Sequence, residues 1–192
     1  MVNEERKIID GRVRGHYKGP GADFEGADLK KKDFTSEGLE GANFKGAHNF
    51  NSHFEGTLLN GADFEGTNLE GMNFHNVDLE GANFKEADLT KTYIENSDVE
   101  RANFDGANFD RAELDWVRGL EDAIGITNAR FRNTHVDSDS YKIIKRKFNV
   151  EGKTLAATMV KTSSENPIYI LEPTDDLRWY LEDFTYRGTF IG

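Results

Sequence analysis

The residues best placed to do chemistry are five carboxylates in the middle of the chain. Asp78 and Asp98 lie twenty residues apart. The other three, Glu40, Glu80 and Glu100, lie at multiples of twenty from one another. A line of carboxylates can bind the cations of a basic groove, and it can equally serve to keep a repetitive surface soluble. We treat these residues as a candidate interaction face, with solubility as the competing interpretation.

Three histidines are the other candidates, since imidazole is a common metal ligand. His48, His53 and His75 have no tight spacing and no accompanying carboxylate motif, which predicts a solvated surface rather than a metal site. Two of them flank an aromatic residue, and the set His48, Phe50 and His53 is a candidate exposed recognition spot. The competing interpretation is a local bulge that turns Asn49 outward and buries Phe50.

Signals for catalysis are missing from the sequence. The chain has no cysteine, which excludes disulfides, thiolate zinc sites and cysteine nucleophiles. No phosphate-cradling glycine loop, metal-ligand spacing or nucleophile motif is found. We therefore expect a protein that is not an enzyme and that has no cofactor and no metal.

Charge and hydropathy limit the partners and the location. The 192 residues contain 35 acids and 24 bases, a net charge of −11, which argues against direct binding to nucleic acid or to anionic membranes. The acidity is concentrated in residues 22–116, which hold 21 acids and 8 bases. No apolar run approaches the ~20 residues of a membrane-spanning helix, and residues 1–10 lack a signal-peptide core. A cytoplasmic location is expected.

A five-residue period runs through the middle of the chain and must position these side chains. Every fifth residue from Phe24 to Leu114 is large and apolar in eighteen of nineteen cases, and Asn49 is the exception. Alanine often lies two positions before, and glycine or asparagine two positions after. Neither a helix nor a strand has a period of five. The pattern predicts a chain that turns once per repeat, with glycine or asparagine accommodating positive φ at the corner.

Segments such as 22–26, 62–66 and 82–86 (ADFEG, ADFEG and ANFKE) resemble the pentapeptide-repeat family. The motif of that family is Ala, then Asp or Asn, then Leu or Phe, then two variable residues, and the resemblance covers residues 22–116. It implies an all-β solenoid, a right-handed quadrilateral β-helix with four repeats per coil. Two weaker repeats in a shifted register, 129–131 and 134–136, would extend the rod to about five coils.

The four-sided coil can be tested on the sequence, because residues twenty apart should then stack. We number the sides 1 to 4 in chain order, beginning with those that hold Phe24, Leu29, Phe34 and Leu39. The outward column on side 1 alternates in charge, as stacked rungs about 4.8 Å apart should: Glu25, Lys45, Glu65, Lys85 and Asp105. The predicted core contains Phe24, Phe44, Phe64, Phe84, Phe104, Phe34, Phe54, Phe74, Leu69, Leu79 and Leu89. The five candidate acids all fall on side 4.

The ends differ from the repeat. We expect residues 1–21 to form an N-terminal cap, residues 22–136 the β-helix with a register break at 115–127, and residues 137–192 a mixed, mostly helical C-terminal module. Helical spacing predicts a first helix and a second short helix, on the apolar residues Tyr141, Ile144 and Phe148, and Leu155, Met159 and Val160. A strand is expected at 168–171, and a third helix after Thr174. The module is a cap or a weak homodimer interface.

Two functions are compatible with these features. The first is a non-catalytic scaffold that binds a protein partner, as a monomer or weak homodimer. The second comes from the resemblance, because the family includes quinolone-resistance proteins that act on type II topoisomerases by imitating duplex DNA. That alternative implies inhibition of gyrase or protection from quinolones. Since Lys45 and Lys85 interrupt side 1, only side 4 is a candidate for such mimicry.

Overall fold

A computed structural model describes residues 19–29, 32–48, 53–153, 155–160 and 167–172. The predicted N-terminal cap lies almost entirely outside these residues, as do Phe50 and the helix expected after Thr174. From 23 to 118, bridged residues are twenty apart, as in Asp23↔Asn43 and Asp98↔Arg118. Four such bridge positions occur in every coil, so the rod has four sides.

Side 3 contains regular strands. β1 (Asn73–His75), β2 (Tyr93–Glu95) and β3 (Glu113–Asp115) pair in parallel and in register. β4 (Thr134–Val136) is the next strand of the same sheet and pairs in parallel with β3. The other sides keep the same ladder through isolated bridges. Every outward residue is therefore placed by the lattice.

A corner of the coil joins each pair of sides. At Gly81 the backbone is left-handed with φ +65°, and its N–H donates to the Glu100 carbonyl of the next coil at 2.7 Å. The N–H of Ala82 donates back to the Leu79 carbonyl at 3.0 Å and closes the turn. Glycine suits this position because it adopts positive φ without steric cost.

Aromatic rings fill the tube. Phe64 lies between Phe44 and Phe84 on side 1, with centroid distances of 4.7 and 5.0 Å and nearly parallel planes. Phe74 on side 3 meets it edge-on at 6.2 Å across the core. Side 1 is therefore opposite side 3, and side 2 is opposite side 4. All eleven residues expected in the core are no more than 2% exposed.

Hydroxyls replace some of the small inward residues. Thr57 and Thr67 are buried, and each donates its hydroxyl to a carbonyl of the preceding coil, at 2.8 and 2.9 Å. Ser97 does the same to the Phe74 carbonyl at 2.7 Å. A buried hydroxyl needs such a partner, and the lattice provides one at the equivalent place in each coil.

The change of register lies later than its expected start at 115. The interval is still twenty at Asp98↔Arg118, becomes 21 at Asn103↔Ile124, and becomes 22 at Asn108↔Arg130. Two single-residue insertions are thus absorbed, around a 3-10 helix at Ile126–Asn128. Stacking resumes beyond them, because the rings of Phe109 and Phe131 are nearly parallel at 5.3 Å.

The first residues of the C-terminal module form a helix that contacts the last coil. Helix α1 (Ser138–Val150) begins at its N-cap Asp137, whose carboxylate accepts the N–H groups of Asp139 and Ser140 at 2.7 and 3.1 Å. Its buried face includes Ile144 and Phe148, and the Phe148 ring lies edge-on to Phe131 at 6.2 Å. The helix therefore packs against the last aromatic layer of the core.

The second helix expected at Leu155, Met159 and Val160 is wrong. Those residues adjoin or form strand β5 (Ala156–Val160), which pairs antiparallel with β6 (Ile168–Glu172). β6 in turn pairs with β4, so the hairpin extends the side 3 sheet. An uncovered strand edge is costly to leave open, and this demand outweighs an apolar spacing that fits a helix equally well. The described part of the module thus holds one helix and two strands.

Candidate interaction faces

All five acids predicted as an interaction face lie on side 4, and four of them lie on adjacent rungs. Asp78 and Asp98 are bridged on adjacent rungs, and each uses one carboxylate oxygen to accept the N–H two residues ahead, at 3.1 and 3.0 Å. This turn fixes the aspartates against the backbone. The donors belong to Glu80 and Glu100, whose own side chains extend outward. Four carboxylates therefore occupy two consecutive rungs of one flat side.

Arginines neutralise part of this face, a feature that the sequence reading missed. Arg101 contacts Glu80 at 3.0 Å and Glu100 at 2.8 Å. Arg118 lies 3.8 Å from Asp98. Exposed pairs of this kind contribute only about 0–1 kcal/mol to stability, but they lower the charge of the face. The spacing was available in the sequence, because a corner residue reaches the acid 21 positions before it.

Glu40 is separated from the other four acids. The rung between Glu40 and Glu80 has Leu58 and Asn60 at its outward positions, and Leu58 is 45% exposed. The Glu40 carboxylate leans over Gly38, where an added Cβ would lie 3.1 Å from its Oε2. That oxygen is buried and accepts no hydrogen bond from the described residues. The continuous acidic face therefore consists of Asp78, Glu80, Asp98 and Glu100.

The histidines are distributed over two sides. His48 lies on side 2 and His53 on side 3, and both are exposed; Phe50 lies outside the described residues. His75 is also on side 3, where its Nδ1 is 3.3 Å from a Glu95 carboxylate oxygen. Within the part of the chain that the structure describes, no three His, Cys, Asp or Glu side chains are grouped so that they could hold a metal ion.

A second acidic group lies on side 3 beside the start of α1. Burial, together with the charges of Asp137, Glu113 and Glu95, raises the pKa of Asp115 to about 6, while His135 opposes the shift. One oxygen of Asp115 is buried and has no hydrogen-bond partner among the described residues. Burial and the neighbouring negative charges thus make the ionised form of Asp115 unfavourable.

Asp115→Asn should stabilise the protein at pH 8 by about 1 kcal/mol, a value reduced from the full pKa shift because the group is half-exposed. The folded-state pKa is raised, so the wild-type carboxyl contributes stability that is present below pH ~4 and lost as the pH rises through about 6. The variant's advantage should therefore vanish near pH 4. Urea unfolding at several pH values measures this difference.

Measuring Asp115→Asn in a protein that also carries Glu113→Gln tests whether neighbouring charge causes the stabilisation. Removing that neighbouring charge should shrink the gain from Asp115→Asn at pH 8. An equal gain at pH 4 and pH 8 would contradict the electrostatic explanation.

The stacked, four-sided coil can now be compared with known proteins. A protein-family model described as "Pentapeptide repeat region" matches residues 27–104. Residues 27–104 of the chain are a pentapeptide-repeat region. The resemblance drawn from the five-residue motif is thereby confirmed. A search of curated proteins returned no significant sequence match.

Solved pentapeptide-repeat structures resemble the chain. A trypsin-treated form of QnrB1, a plasmid-mediated fluoroquinolone resistance protein, superposes with a TM-score of 0.53 at 17% identity. The match covers 67% of this chain and 62% of QnrB1, so the chain spans less than two thirds of that protein's length. A pentapeptide repeat protein from the thylakoid lumen of Arabidopsis thaliana is 28% identical, with coverage of 64% and 77% and a TM-score of 0.43.

The likeness to QnrB1 establishes the fold, a quadrilateral β-helix, and nothing further. Among the described residues, none of the helices is long and apolar enough to cross a membrane.

Proposed function

We propose that this protein is a non-catalytic scaffold that binds a protein partner through side 4 of its β-helix. The observation that carries the proposal is the pair of adjacent rungs bearing Asp78, Glu80, Asp98 and Glu100 on a flat, rigid side. The backbone ladder fixes the positions of these residues, and turn hydrogen bonds hold the two aspartate carboxylates, so binding would order few side chains. The partner would carry a patch of Lys and Arg. Its identity is to be found by affinity capture from the source cell.

The N-terminal residues 1–21 and the C-terminal module 137–192 are proposed to cap the rod. Packing of Phe148 against Phe131 supports this role for α1, because an uncapped end would expose aromatic rings to water. A weak homodimer through the C-terminal module is the alternative role for those residues.

Mimicry of duplex DNA would require a higher density of negative charge on side 4. DNA carries one negative charge per ~1.7 Å of helix axis, or about eight over 14 Å. Glu40 to Glu100 spans three rung steps, roughly 14 Å, and holds the five candidate acids, with Arg101 bound to two of them. The charge density is therefore well below that of DNA. This comparison favours the scaffold over the mimic.

The double variant Glu80→Lys with Glu100→Lys should weaken capture of the partner at least tenfold, because opposite charges become like charges across the interface. Glu55→Lys with Glu95→Lys is the matched control, with the same charge change on side 3, and it should bind as the wild type does. Quantitative pull-down followed by titration of the recovered partner measures both. Equal binding by the two double variants would exclude side 4 as the site.

A gyrase supercoiling assay with and without a fluoroquinolone separates the two functions. We expect no effect of the protein at tens of micromolar. Inhibition or protection that disappears when Glu40, Glu80 and Glu100 are changed to Lys would instead establish mimicry.

A further inference from the structure

Side 2 carries a basic patch at the C-terminal end of the rod. Three successive rungs, joined by Asp88↔Asn108 and Asn108↔Arg130, present four cations: Lys91, Arg111, Arg130 and Arg132. The acids on the same rungs are Asp88 and Asp110, so the patch has a local net charge of +2. The sequence analysis considered only the net charge of the whole repeat region, which is strongly negative, and it therefore missed this local basic patch.

Two of these arginines have no counter-charge in the described part of the chain. Corner cations elsewhere reach the acid 21 positions before, as Lys91 does with Glu70 at 2.6 Å. The equivalent residue for Arg111 is Thr90, whose hydroxyl is already bonded to Asp88 and Asn108.

Arg132 is also exposed and forms no side-chain hydrogen bond or ion pair with the described residues, whereas Arg130 contacts Asp110 at 3.0 Å. Arg111 and Arg132 thus present two guanidinium groups with unused donors. A carboxylate-bearing surface would satisfy them in a bidentate geometry.

Such a surface exists on the opposite side of the same molecule. We propose that a second copy of the chain lays its acidic side 4 against the basic end of side 2, so that rods associate side by side. Both sides are flat and share the ~4.8 Å rung spacing, so columns of charge on one copy can align with columns on the other. The inference rests on the proposed role of side 4 as a binding surface and names one occupant of it.

The overall charge favours a second copy over nucleic acid as the occupant. A net charge of −11 repels a polyanion along its whole length. Between two rods the same repulsion is screened beyond about 10 Å at 0.1 M salt, while facing groups a few ångströms apart still attract. Because the two contacting sides differ, the contact is heterologous, and copies can add to either side of a growing row.

Sedimentation velocity of the full chain tests the proposal. At 100 mM salt and 20–200 μM protein, we expect the sedimentation coefficient to rise with concentration, and the rise to be lost at 1 M salt. Arg111→Glu with Arg132→Glu should weaken association at least tenfold, and so should Glu80→Arg with Glu100→Arg. An equimolar mixture of the two double variants should associate again, because each supplies the charge that the other now needs.

Arg111→Gln with Arg132→Gln is a milder variant, because it removes the two positive charges without reversing them. Circular dichroism establishes that each variant is folded. The proposal would be overturned by a wild type that stays monomeric at 200 μM. It would also be overturned if neither Arg111→Glu with Arg132→Glu nor Glu80→Arg with Glu100→Arg changed the association. Binding of a labelled DNA duplex by the wild type, if Arg111→Glu with Arg132→Glu abolished it, would also overturn the proposal, because the patch would then be a nucleic-acid site. The same double variant leaves side 4 intact and should still capture the protein partner, which distinguishes failure here from failure of the scaffold function.

Discussion

Phe64→Ala should lower the free energy of unfolding by about 3–5 kcal/mol, the usual cost of emptying a buried aromatic site. Phe64 has no exposed surface. It is stacked between Phe44 and Phe84 at 4.7 and 5.0 Å, and other rings meet it edge-on from side 3. The two parallel neighbours are held by their own backbone ladders, so they cannot collapse into the cavity. Urea unfolding followed by circular dichroism measures the loss.

Two further variants show that the loss comes from the cavity. Phe64→Leu retains much of the volume and should cost clearly less than Phe64→Ala. Glu80→Ala removes one exposed ion pair with Arg101 and should change stability by less than about 1 kcal/mol. A cost below about 1 kcal/mol for Phe64→Ala would mean that residues twenty apart do not stack.

The core and the sides could be predicted because the five-residue period carries most of the structural information. One large residue per repeat fixes the inward direction, and the intervals of twenty then place Asp78 and Asp98 on one side. The same arithmetic could have paired Arg101 with Glu80, but it requires knowing that a corner residue reaches back to the preceding coil. Side-chain reach, unlike backbone register, is not evident from a repeat motif.

Strand β5 could not be predicted from local pattern alone. The residues of β5 fit an alternating strand or a helix equally well, and pairing with β6 decides between them. That pairing depends on the open edge of β4, which exists only once the rod is assembled. Non-local demands of this kind are absent from the regular repeats, where every coil meets an almost identical neighbour.

Gly119→Ala should destabilise the protein by roughly 2–5 kcal/mol, the sum of a backbone cost and an overpacking cost. Gly119 adopts φ +77°, where a Cβ costs about 1–2 kcal/mol. An added Cβ would also overlap the Glu100 backbone nitrogen and lie 2.6 Å from its Cα, so the coils would have to separate at an overpacking cost of about 1–3 kcal/mol. This contact occurs where the first extra residue enters the lattice, between Arg118 and Ile124.

Gly81→Ala is the matched control, because it has the same handedness without the close contact. Gly81 lies at a regular corner with φ +65°, and an added Cβ there would meet nothing within 4 Å. It should therefore cost only the backbone term, about 1–2 kcal/mol. A much larger loss for Gly119→Ala in urea unfolding would show that glycine is required at the insertion so that one coil can approach the next. Equal losses would mean that the extra residue is absorbed without such an approach, and that glycine serves there only as it does at an ordinary corner.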